Sequence, residues 1–416
     1  MKVFKFGGAS VKDAEGVKNV LRVLQNSGNR EKLVVISAMG KTTNALEEVV
    51  NEYLNTGSYN DSLQPVKEYH LEILNDLFDK KESAIFQKVK KYFGELEVFL
   101  QHNRSSMYDF VYDQVVIYGE LLSTTIVSAY LDNNGVKNNW LDARSCVRTD
   151  STYRDAQVKW DETQEKILAN VQQNSLTITQ GFIGADENNF STTLGREGSD
   201  YTAGIFAYCL NADSVTIWKD VPGVLNADPR VFENPRLLEQ ISYEEAIELA
   251  FYGASVIHPK TLQPLQRKEI PLYVRSFVNL SEEGTAVKKG QAILPKIPCF
   301  IVKKNQVLIS LSSLDFSFIM EENISYIFSL FHKYQIKVDL IQNSAISFSV
   351  CVDNKFNNLE KLINQLKATF RVTYNTGVSL YTIRHFDEAA ITALEKEKKI
   401  LLKQITRETV QIVATS

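Results

Sequence analysis

The start of the chain is the feature that most restricts its fold. An apolar run of strand type, Lys2–Phe6, leads into a Gly7-Gly8 turn, and the residues from about Val11 to Gln25 have helical spacing. A second apolar run, Lys32–Ser37, follows almost at once. A strand, a helix and a strand at this spacing predict a βαβ unit, and strands that are apolar along their whole length favour a parallel sheet covered on both faces.

The same alternation continues for most of the chain. Helical patterning runs from about Thr42 to Tyr130, strand signals return at Thr177–Thr179 and Val215–Trp218, and a strand at Pro271–Val274 closes the region. This order predicts a three-layer αβα domain with a mainly parallel sheet over residues 1–292.

Residues 293–416 have a different pattern. Their strand and helix signals first follow the order β-α-β-β-α-β, which is the ferredoxin-like arrangement. A partial second copy follows, with a strand at Val378–Ile383, one long helix at Glu388–Ile405 and a strand at Val410–Val413. The lysines within that helix alternate with glutamates and are expected on its exposed face. We therefore predict one or two small α/β modules, the second of them shortened.

Composition and charge argue against several classes of function. The formal net charge is −4, and no block of like charges supplies the basic stripe of a nucleic-acid-binding protein. The amino-terminal sequence lacks the apolar core of a signal peptide, and no run of about 18 apolar residues predicts a membrane span. The four cysteines are far apart, which is typical of free thiols rather than of zinc sites or disulfides. We expect a cytoplasmic protein without nucleic-acid or membrane partners.

The Gly7-Gly8 turn is the first candidate for chemistry. Glycines allow the backbone to approach a polyphosphate, the start of the following helix offers free N–H groups, and Lys5 adds a positive charge. Gly40-Lys41-Thr42 resembles the end of a Walker A loop, but Val35 occupies the position of the required first glycine. A phosphate site of the P-loop type is therefore excluded.

Three further stretches add charged residues, and each has a structural alternative. Glu120 begins an apolar helical segment, where a carboxylate is also an ordinary helix-end charge. Asp200 follows a glycine-rich turn that contains Arg196, and either Ser199 or Asp200 could be only an N-cap. The stretch from Lys219 to Arg230 follows a predicted strand, where ligands bind in open α/β sheets, but it is also typical of a surface turn.

Together these stretches resemble the aspartokinases of the amino acid kinase superfamily, in the order and at the spacing of that family. The matching stretches are Lys5–Ser10, Gly119–Ser123, Gly195–Tyr201, Val221–Gly223, Asp228–Arg230 and Ile257–Pro259. Residues 293–416 resemble the pair of ACT domains that follows the kinase domain in this family. The first module would span about 305–370, and the second, shortened module about 297–303 plus 372–416.

The resemblance implies an enzyme that transfers the γ-phosphoryl group of ATP to the side-chain carboxylate of L-aspartate, the first step toward lysine, threonine and methionine. The implied catalytic residues are Lys5, Gly7, Gly8 and Asp200. The implied substrate-binding residues are Thr43, Glu120, Arg196 and Ser199. The implied ATP-binding residues are Lys5, Phe6, Gly7, Gly8, Ser37, Lys219, Asp220, Leu225, Arg230 and Ser255. Mg²⁺ would bridge the phosphates, held largely by nucleotide oxygens and water rather than by protein ligands.

The ACT region implies feedback control by an amino acid, lysine or threonine, and a homodimer formed through the ACT modules. The implied effector residues are Lys337, Val338, Asp339, Asn343 and Ser344.

The sequence departs from the family pattern at four positions. Ser255 stands where many aspartokinases have a lysine, and Leu225 where a tyrosine is common. Lys219 replaces a threonine or serine, and Glu197 replaces a glycine. Two other functions stay open, a kinase for another small carboxylate, carbamate or uridylate, and an amino-acid sensor with an inactive kinase domain. His258, which precedes a proline, is interpreted as structural rather than catalytic.

Overall fold

A computed structural model describes residues 1–28, 31–79, 84–254, 257–315, 317–353 and 358–415. These residues form two compact units. The first comprises Met1–Val224, Leu237–Ile247 and Val256–Leu294. The second comprises Leu225–Arg236, Glu248–Ser255 and Pro295–Ser416.

Eight described strands of the first unit form one sheet, in the order β3-β4-β2-β1-β7-β9-β10-β8. All neighbouring pairs are parallel except β9 and β10. The predicted mainly parallel sheet is therefore confirmed. The strands are β1 (Lys2–Phe6), β2 (Lys32–Ile36), β3 (Asn139–Leu141), β4 (Leu176–Gln180), β7 (Ser214–Lys219), β8 (Gln240–Ser242), β9 (Leu272–Ser276) and β10 (Thr285–Lys288), with β5 (Ile183–Ala185) and β6 (Ser191–Thr193) pairing separately.

The helices in the same stretch of chain begin with a short 3₁₀ turn at Gly8–Val11, directly after β1. The α-helices are α1 (Ala14–Ser27), α2 (Thr42–Thr56), α3 (Asn60–Leu77), α4 (Ala84–His102), α5 (Tyr108–Asn133), α6 (Trp160–Asn170), α7 (Gly198–Leu210), α8 (Tyr243–Tyr252) and α9 (Pro259–Arg267). Every residue of the central strands β2 and β4 is buried. Both faces of the sheet are therefore covered, as expected for a parallel sheet.

Helix α5 is the one described helix that is long and apolar enough to cross a membrane. Within the first unit, however, 78% of its most apolar window is buried. It packs with α1 to α4 in a large core cluster that includes Val115, Leu122 and Ile126. Its apolar length is thus accounted for by the packing of a core helix.

The second unit contains a six-stranded sheet in the order β12-β13-β11-β14-β16-β15, and every described pairing is antiparallel. The strands are β11 (Cys299–Ser313), β12 (Lys337–Asn343), β13 (Ser347–Asp353), β14 (Phe370–Arg384), β15 (Lys399–Ile405) and β16 (Thr409–Thr415), and the helices are α10 (Glu321–Lys333), α11 (Leu359–Lys367) and α12 (Glu388–Glu395). The long strands β11 and β14 each change register midway. Each half therefore serves a different α/β module, in agreement with ACT-like architecture.

The predicted helix at Glu388–Ile405 is wrong in its second half. Helix α12 ends at Glu395, Glu397 adopts a positive φ of 65°, and the chain continues as β15. Residues of β15 pair with β16, and Leu401 and Leu402 pack beside a buried apolar cluster. Strand pairing and burial override the helix-forming tendency of the Lys, Glu and Leu residues.

Two expectations change with that helix. The lysine-rich run belongs to a turn and a strand rather than to the exposed face of a helix. The second module also gains a strand, since it combines the first half of β11 with the second half of β14, α12, β15 and β16. That this module is shortened stays a prediction.

Candidate active site

The site lies at the carboxyl edge of the parallel sheet in the first unit. Strand β1 lies between β2 and β7, with Phe6 opposite Ile36 on one side and Trp218 on the other. The segments that follow these strands therefore emerge side by side. This edge is where ligands bind in open α/β sheets.

Three charged side chains meet there. Lys5 Nζ lies 2.6 Å from Asp200 Oδ1, and Lys219 Nζ lies 3.8 Å from Asp200 Oδ2. The Asp200 side chain is only 3% exposed. Burial alone would raise the pKa of the Asp200 carboxyl, but the ammonium groups of Lys5 and Lys219 hold this pKa below its ordinary value. Asp200 is thus an ionised carboxylate that fixes the position of Lys5.

The Gly7-Gly8 turn brings the backbone close to the loop after β2. A Cβ atom at Gly8 would lie 2.7 Å from the carbonyl oxygen of Gly40 and 2.8 Å from that of Ala38, so a side chain is excluded. The Gly40 N–H donates to the Gly8 carbonyl at 3.0 Å. The loop 37–40 is therefore held directly against the turn that follows Lys5.

Glu120 reaches the same loop from the middle of α5. Its Oε1 accepts a 3.4 Å hydrogen bond from the Ala38 N–H, while its buried Oε2 has no partner among the described residues. Burial raises the pKa of Glu120 to about 8, against the opposing effect of the Ala38 hydrogen bond. Because Glu120 lies in the middle of α5, it is not the ordinary helix-end charge that was the alternative interpretation of its sequence position. A buried carboxylate with an unused oxygen is a receptor for a cation or a donor.

The other predicted substrate residues differ in their exposure to solvent. Thr43 is half-buried in the first turn of α2, which begins next to the loop 37–40. Ser199 is buried in the first turn of α7, so close to Gly181 that a Cβ atom there would lie 2.5 Å from the Ser199 Cβ. Arg196 is exposed in the turn before α7. An exposed guanidinium is available to a carboxylate arriving from solvent.

The comparisons with known proteins bear on this arrangement. The amino acid kinase family matches residues 1–276. Lysine-sensitive aspartokinase 3 of Escherichia coli (strain K12) is 31% identical over 411 residues, which is 95% of this chain and 89% of that protein. The chain belongs to the aspartokinases of the amino acid kinase family.

Solved structures of aspartokinases are also similar to this chain. The chain matches E. coli aspartokinase III in complex with lysine and aspartate with a TM-score of 0.83 and 29% identity, covering 99% of this chain and 95% of that one. The complex of the same protein with aspartate and ADP gives a TM-score of 0.83 and 28% identity, covering 100% and 96%. A bifunctional aspartokinase/homoserine dehydrogenase of Daucus carota is 30% identical over 399 residues, and this aspartokinase chain spans 42% of its length.

Seven of the residues predicted to bind ATP belong to the first unit of this aspartokinase: Lys5, Phe6, Gly7, Gly8, Ser37, Lys219 and Asp220. Ser37 is half-buried directly after β2, and its carbonyl accepts a 2.7 Å hydrogen bond from the Ser123 hydroxyl. The Phe6 side chain is buried and stacks on Trp218 with ring centroids 6.2 Å apart, so it faces the core. Asp220 is exposed after β7. Leu225 and Arg230 belong to the second unit, and Ser255 lies outside the described residues.

His258 has the structural role that its sequence position suggests. Its Nδ1 accepts a 3.2 Å hydrogen bond from the Lys260 N–H, which makes it the N-cap of α9. Burial lowers the pKa of His258, and the charges of Lys260 and Arg196 lower it further. The interpretation of His258 as a structural residue agrees with this cap.

The predicted effector residues lie along β12, an edge strand of the second unit, and in the turn after it. Asp339 occupies a bulge in that strand, and its side chain is 3% exposed. Its carboxylate lies 2.8 Å from Lys303 Nζ and 3.4 Å from Lys337 Nζ. Val338 is half-buried beside it, and Asn343 and Ser344 are exposed where the strand turns.

Glu197 was named from the sequence only as a departure from the family pattern. This residue adopts a left-handed conformation, with φ 54° and ψ 27°, directly before α7. Burial raises the pKa of its carboxyl, Lys219 opposes that rise, and Asp200 adds to it. Glu197 therefore belongs to the charged group around Asp200. The available signal was its charge, since Glu197 and Lys219 are departures of opposite sign from the family pattern.

Proposed function

We propose that this aspartokinase is an active enzyme that phosphorylates the side-chain carboxylate of L-aspartate with ATP to give 4-phospho-L-aspartate. One observation carries the proposal. A group suited to phosphate, formed by Lys5, the Gly7-Gly8 turn and the start of α7, shares the loop 37–40 with the buried carboxylate of Glu120, which is suited to an ammonium group.

The assigned roles follow from charge. In the reaction the bond from Pγ to the ADP oxygen breaks, its electron pair stays on ADP, and a carboxylate oxygen of aspartate forms the new bond to Pγ. Lys5 would neutralise the transferring group, with Gly7 and Gly8 donating backbone N–H groups to it. Asp200 would keep Lys5 in place. The aspartate carboxylate is already ionised and needs no general base.

Aspartate would bind by its other two charged groups. Glu120 would accept the α-ammonium, which supplies the missing partner of Oε2. Arg196 would bind the α-carboxylate with two parallel hydrogen bonds. Thr43 and Ser199 would supply hydroxyl groups beside them.

ATP would bind along the carboxyl edge of the sheet, next to Ser37, Lys219 and Asp220. Leu225, Arg230 and Ser255 would also take part in nucleotide binding. Mg²⁺ would be held mainly by phosphate oxygens and water, because the described residues include no group of three or more His, Cys, Asp or Glu side chains placed to bind a metal. The ion would neutralise phosphate charge during transfer.

Regulation and assembly belong to the second unit. We infer that an amino-acid effector, lysine or threonine, binds along Lys337–Ser344. Its ammonium group would replace a lysine side chain of the protein as the partner of the Asp339 carboxylate. We also infer a homodimer through the outer strands of this unit, which expose apolar side chains such as Ile341 and Ile405. A cytoplasmic location fits the four cysteines, which are buried and form no disulfide among the described residues.

The test is an assay with ATP, Mg²⁺ and L-aspartate in which hydroxylamine traps the acyl phosphate. The expected result is aspartyl hydroxamate that depends on all three components. If the wild-type protein bound an amino acid tightly and formed no hydroxamate, it would be a sensor rather than a kinase.

A further inference from the structure

Helix α5 carries a second buried carboxylate, Asp113, seven residues before Glu120. The residue Asp113 is 0% exposed. Seven residues make about two turns of an α-helix, so both carboxylates lie on the same face of α5. The helix that brings Glu120 to the loop 37–40 therefore also presents a carboxylate to the segments that pack beside its first half.

Asp113 accepts hydrogen bonds from two segments that are distant in sequence. Its Oδ2 accepts from the Thr193 N–H at 2.8 Å, and its Oδ1 accepts from the Thr193 hydroxyl at 2.8 Å. The Arg154 N–H donates to both oxygens, at 3.2 Å to Oδ1 and 3.1 Å to Oδ2. One carboxylate thus joins α5 to the end of β6 and to the loop at Arg154.

Both of these segments contact or continue into the turn that carries Arg196. Thr193 is the last residue of β6, three residues before Arg196. The loop at Arg154 packs against the same turn, since a Cβ atom at Gly195 would lie 2.5 Å from Asp155 Oδ1 and 3.2 Å from the Arg154 carbonyl oxygen. Asp113 therefore holds the start of this turn and also the loop against which the turn packs.

The charge of Asp113 makes it a costly link if it serves stability alone. Burial raises the pKa of the Asp113 carboxyl to about 6, although the hydrogen bonds from Thr193 and Arg154 lower it. These hydrogen bonds thus do not fully replace the lost hydration of the carboxylate. Its two acceptor oxygens do, however, receive all of these donors at once, which a side-chain amide could not do. This balance favours a role in placing the joined segments over a role in stability.

We infer that Asp113 is a positioning residue for aspartate binding, which holds Glu120 and Arg196 at the spacing that the substrate requires. The inference rests on the proposed function, because it assumes that these two residues bind the α-ammonium and the α-carboxylate of aspartate. One helix fixes Asp113 relative to Glu120, and the hydrogen bonds of Asp113 fix the Arg196 turn relative to that helix. The two charged groups lie on one carbon atom of the substrate, so their receptors have to be held at a matching distance.

The variant Asp113→Asn tests this inference. The amide keeps the shape of the side chain but replaces one acceptor oxygen with a donor, which would face another donor. The KM for aspartate and its Kd from calorimetry should rise about tenfold, whereas kcat and the KM for ATP should change less than about threefold. Thr193→Val removes only the hydroxyl and should weaken aspartate binding about threefold. Thr193→Ser keeps the hydroxyl and should bind aspartate normally.

A double-mutant cycle with Arg196→Ala separates positioning from general damage. If Asp113 acts through Arg196, Asp113→Asn should weaken aspartate binding much less once the guanidinium is absent. The control is Asp186→Ala, because Asp186 is also buried and its Oδ1 accepts 2.9 Å hydrogen bonds from the N–H groups of Asn188 and Phe190. These residues form the turn between β5 and β6, at the opposite end of that pair of strands from Thr193. The control variant should lower the thermal midpoint and leave aspartate binding unchanged.

Two results would overturn the inference. One is a normal affinity for aspartate in Asp113→Asn or, if that variant does not fold, in Thr193→Val. The other is an equal loss of affinity from Asp113→Asn with and without Arg196. If the wild type forms hydroxamate and either result is found, only the positioning role is wrong. If the wild type binds aspartate but forms no hydroxamate, the proposed function fails, and the calorimetric cycle still decides the role of Asp113.

Discussion

Replacing Glu120 with glutamine should stabilise the ligand-free protein while impairing its function. Burial raises the pKa of Glu120 from an ordinary 4.5 to about 8. Between these values the folded protein keeps a proton that the unfolded chain has released. The free energy of unfolding therefore falls as pH rises through this window. Glutamine has no proton to lose in either state, so the variant should lack this contribution.

The size of the effect follows from the two pKa values. Relative to a group with the same pKa in both states, Glu120 lowers the free energy of unfolding by about 2 kcal/mol at pH 6 and about 3 kcal/mol at pH 7. Glu120→Gln should recover gains of this order, and the gain should increase with pH up to about 8.

Urea unfolding followed by tryptophan fluorescence measures this gain, because Trp140, Trp160 and Trp218 all lie in the first unit. Glu165→Gln, at an exposed position on α6, is the control and should leave stability unchanged. A gain in the free energy of unfolding that is absent, or equal at pH 6 and pH 8, would refute the reasoning.

The same variant should raise the KM for aspartate about tenfold to a hundredfold, since a charged hydrogen bond to the ammonium is lost. A stabilised variant with normal aspartate affinity would show that Glu120 is buried but does not bind the substrate.

Three further predictions concern other residues. Lys5→Ala should lower kcat about a hundredfold to a thousandfold, with only a small change in aspartate binding measured by calorimetry; a pure rise in KM would contradict its role at the transferring group. Arg196→Lys should mainly raise the KM for aspartate, about tenfold, because lysine cannot form two parallel hydrogen bonds; a loss confined to kcat in steady-state assays would argue against substrate capture. Burial lowers the pKa of His70 to about 4 from 6.5, so the folded protein resists a proton that the unfolded chain accepts. Lowering the pH from 7 to 5 should therefore reduce the free energy of unfolding by about 2 kcal/mol from this residue alone, and His70→Gln should lose that part of the pH dependence in urea titrations.

The fold around the site could be predicted because its signals are local. The apolar runs of β1 and β2, the Gly7-Gly8 turn and the helical spacing of α1 all lie within one short stretch of sequence, and the structure has these elements within a few residues of the predicted bounds. The predicted parallel sheet then fixed where the strand ends would meet. Short strands such as β5 and β6 were not predicted, because three residues carry too little periodicity.

The interior of the site was only partly predictable, since its contacts join distant parts of the chain. Nothing local to Lys5 indicates that its ammonium lies 2.6 Å from Asp200, and Asp200 was assigned to the catalytic residues only through the resemblance to a family. The burial of Glu120 and the strain at Glu197 depend on packing around the residue rather than on its neighbours in sequence. Likewise, the strand status of Leu401 and Leu402 depends on pairing with β16, which no local propensity encodes.

The buried charges of the site indicate which ligands would stabilise it. Glu120 is a buried carboxylate whose Oε2 has no partner among the described residues, whereas Lys5 and Lys219 are two ammonium groups beside Asp200. The first arrangement favours a ligand with a positive group and the second a ligand with several negative charges. Aspartate and ATP carry these charges, so each substrate would supply the counter-charge that its part of the site lacks. The loop 37–40 contacts both parts, which would place the carboxylate of one substrate next to the phosphate of the other. Specificity for an amino acid as phosphate acceptor would then come mainly from Glu120, because an acceptor without an ammonium group would leave its buried carboxylate unsatisfied.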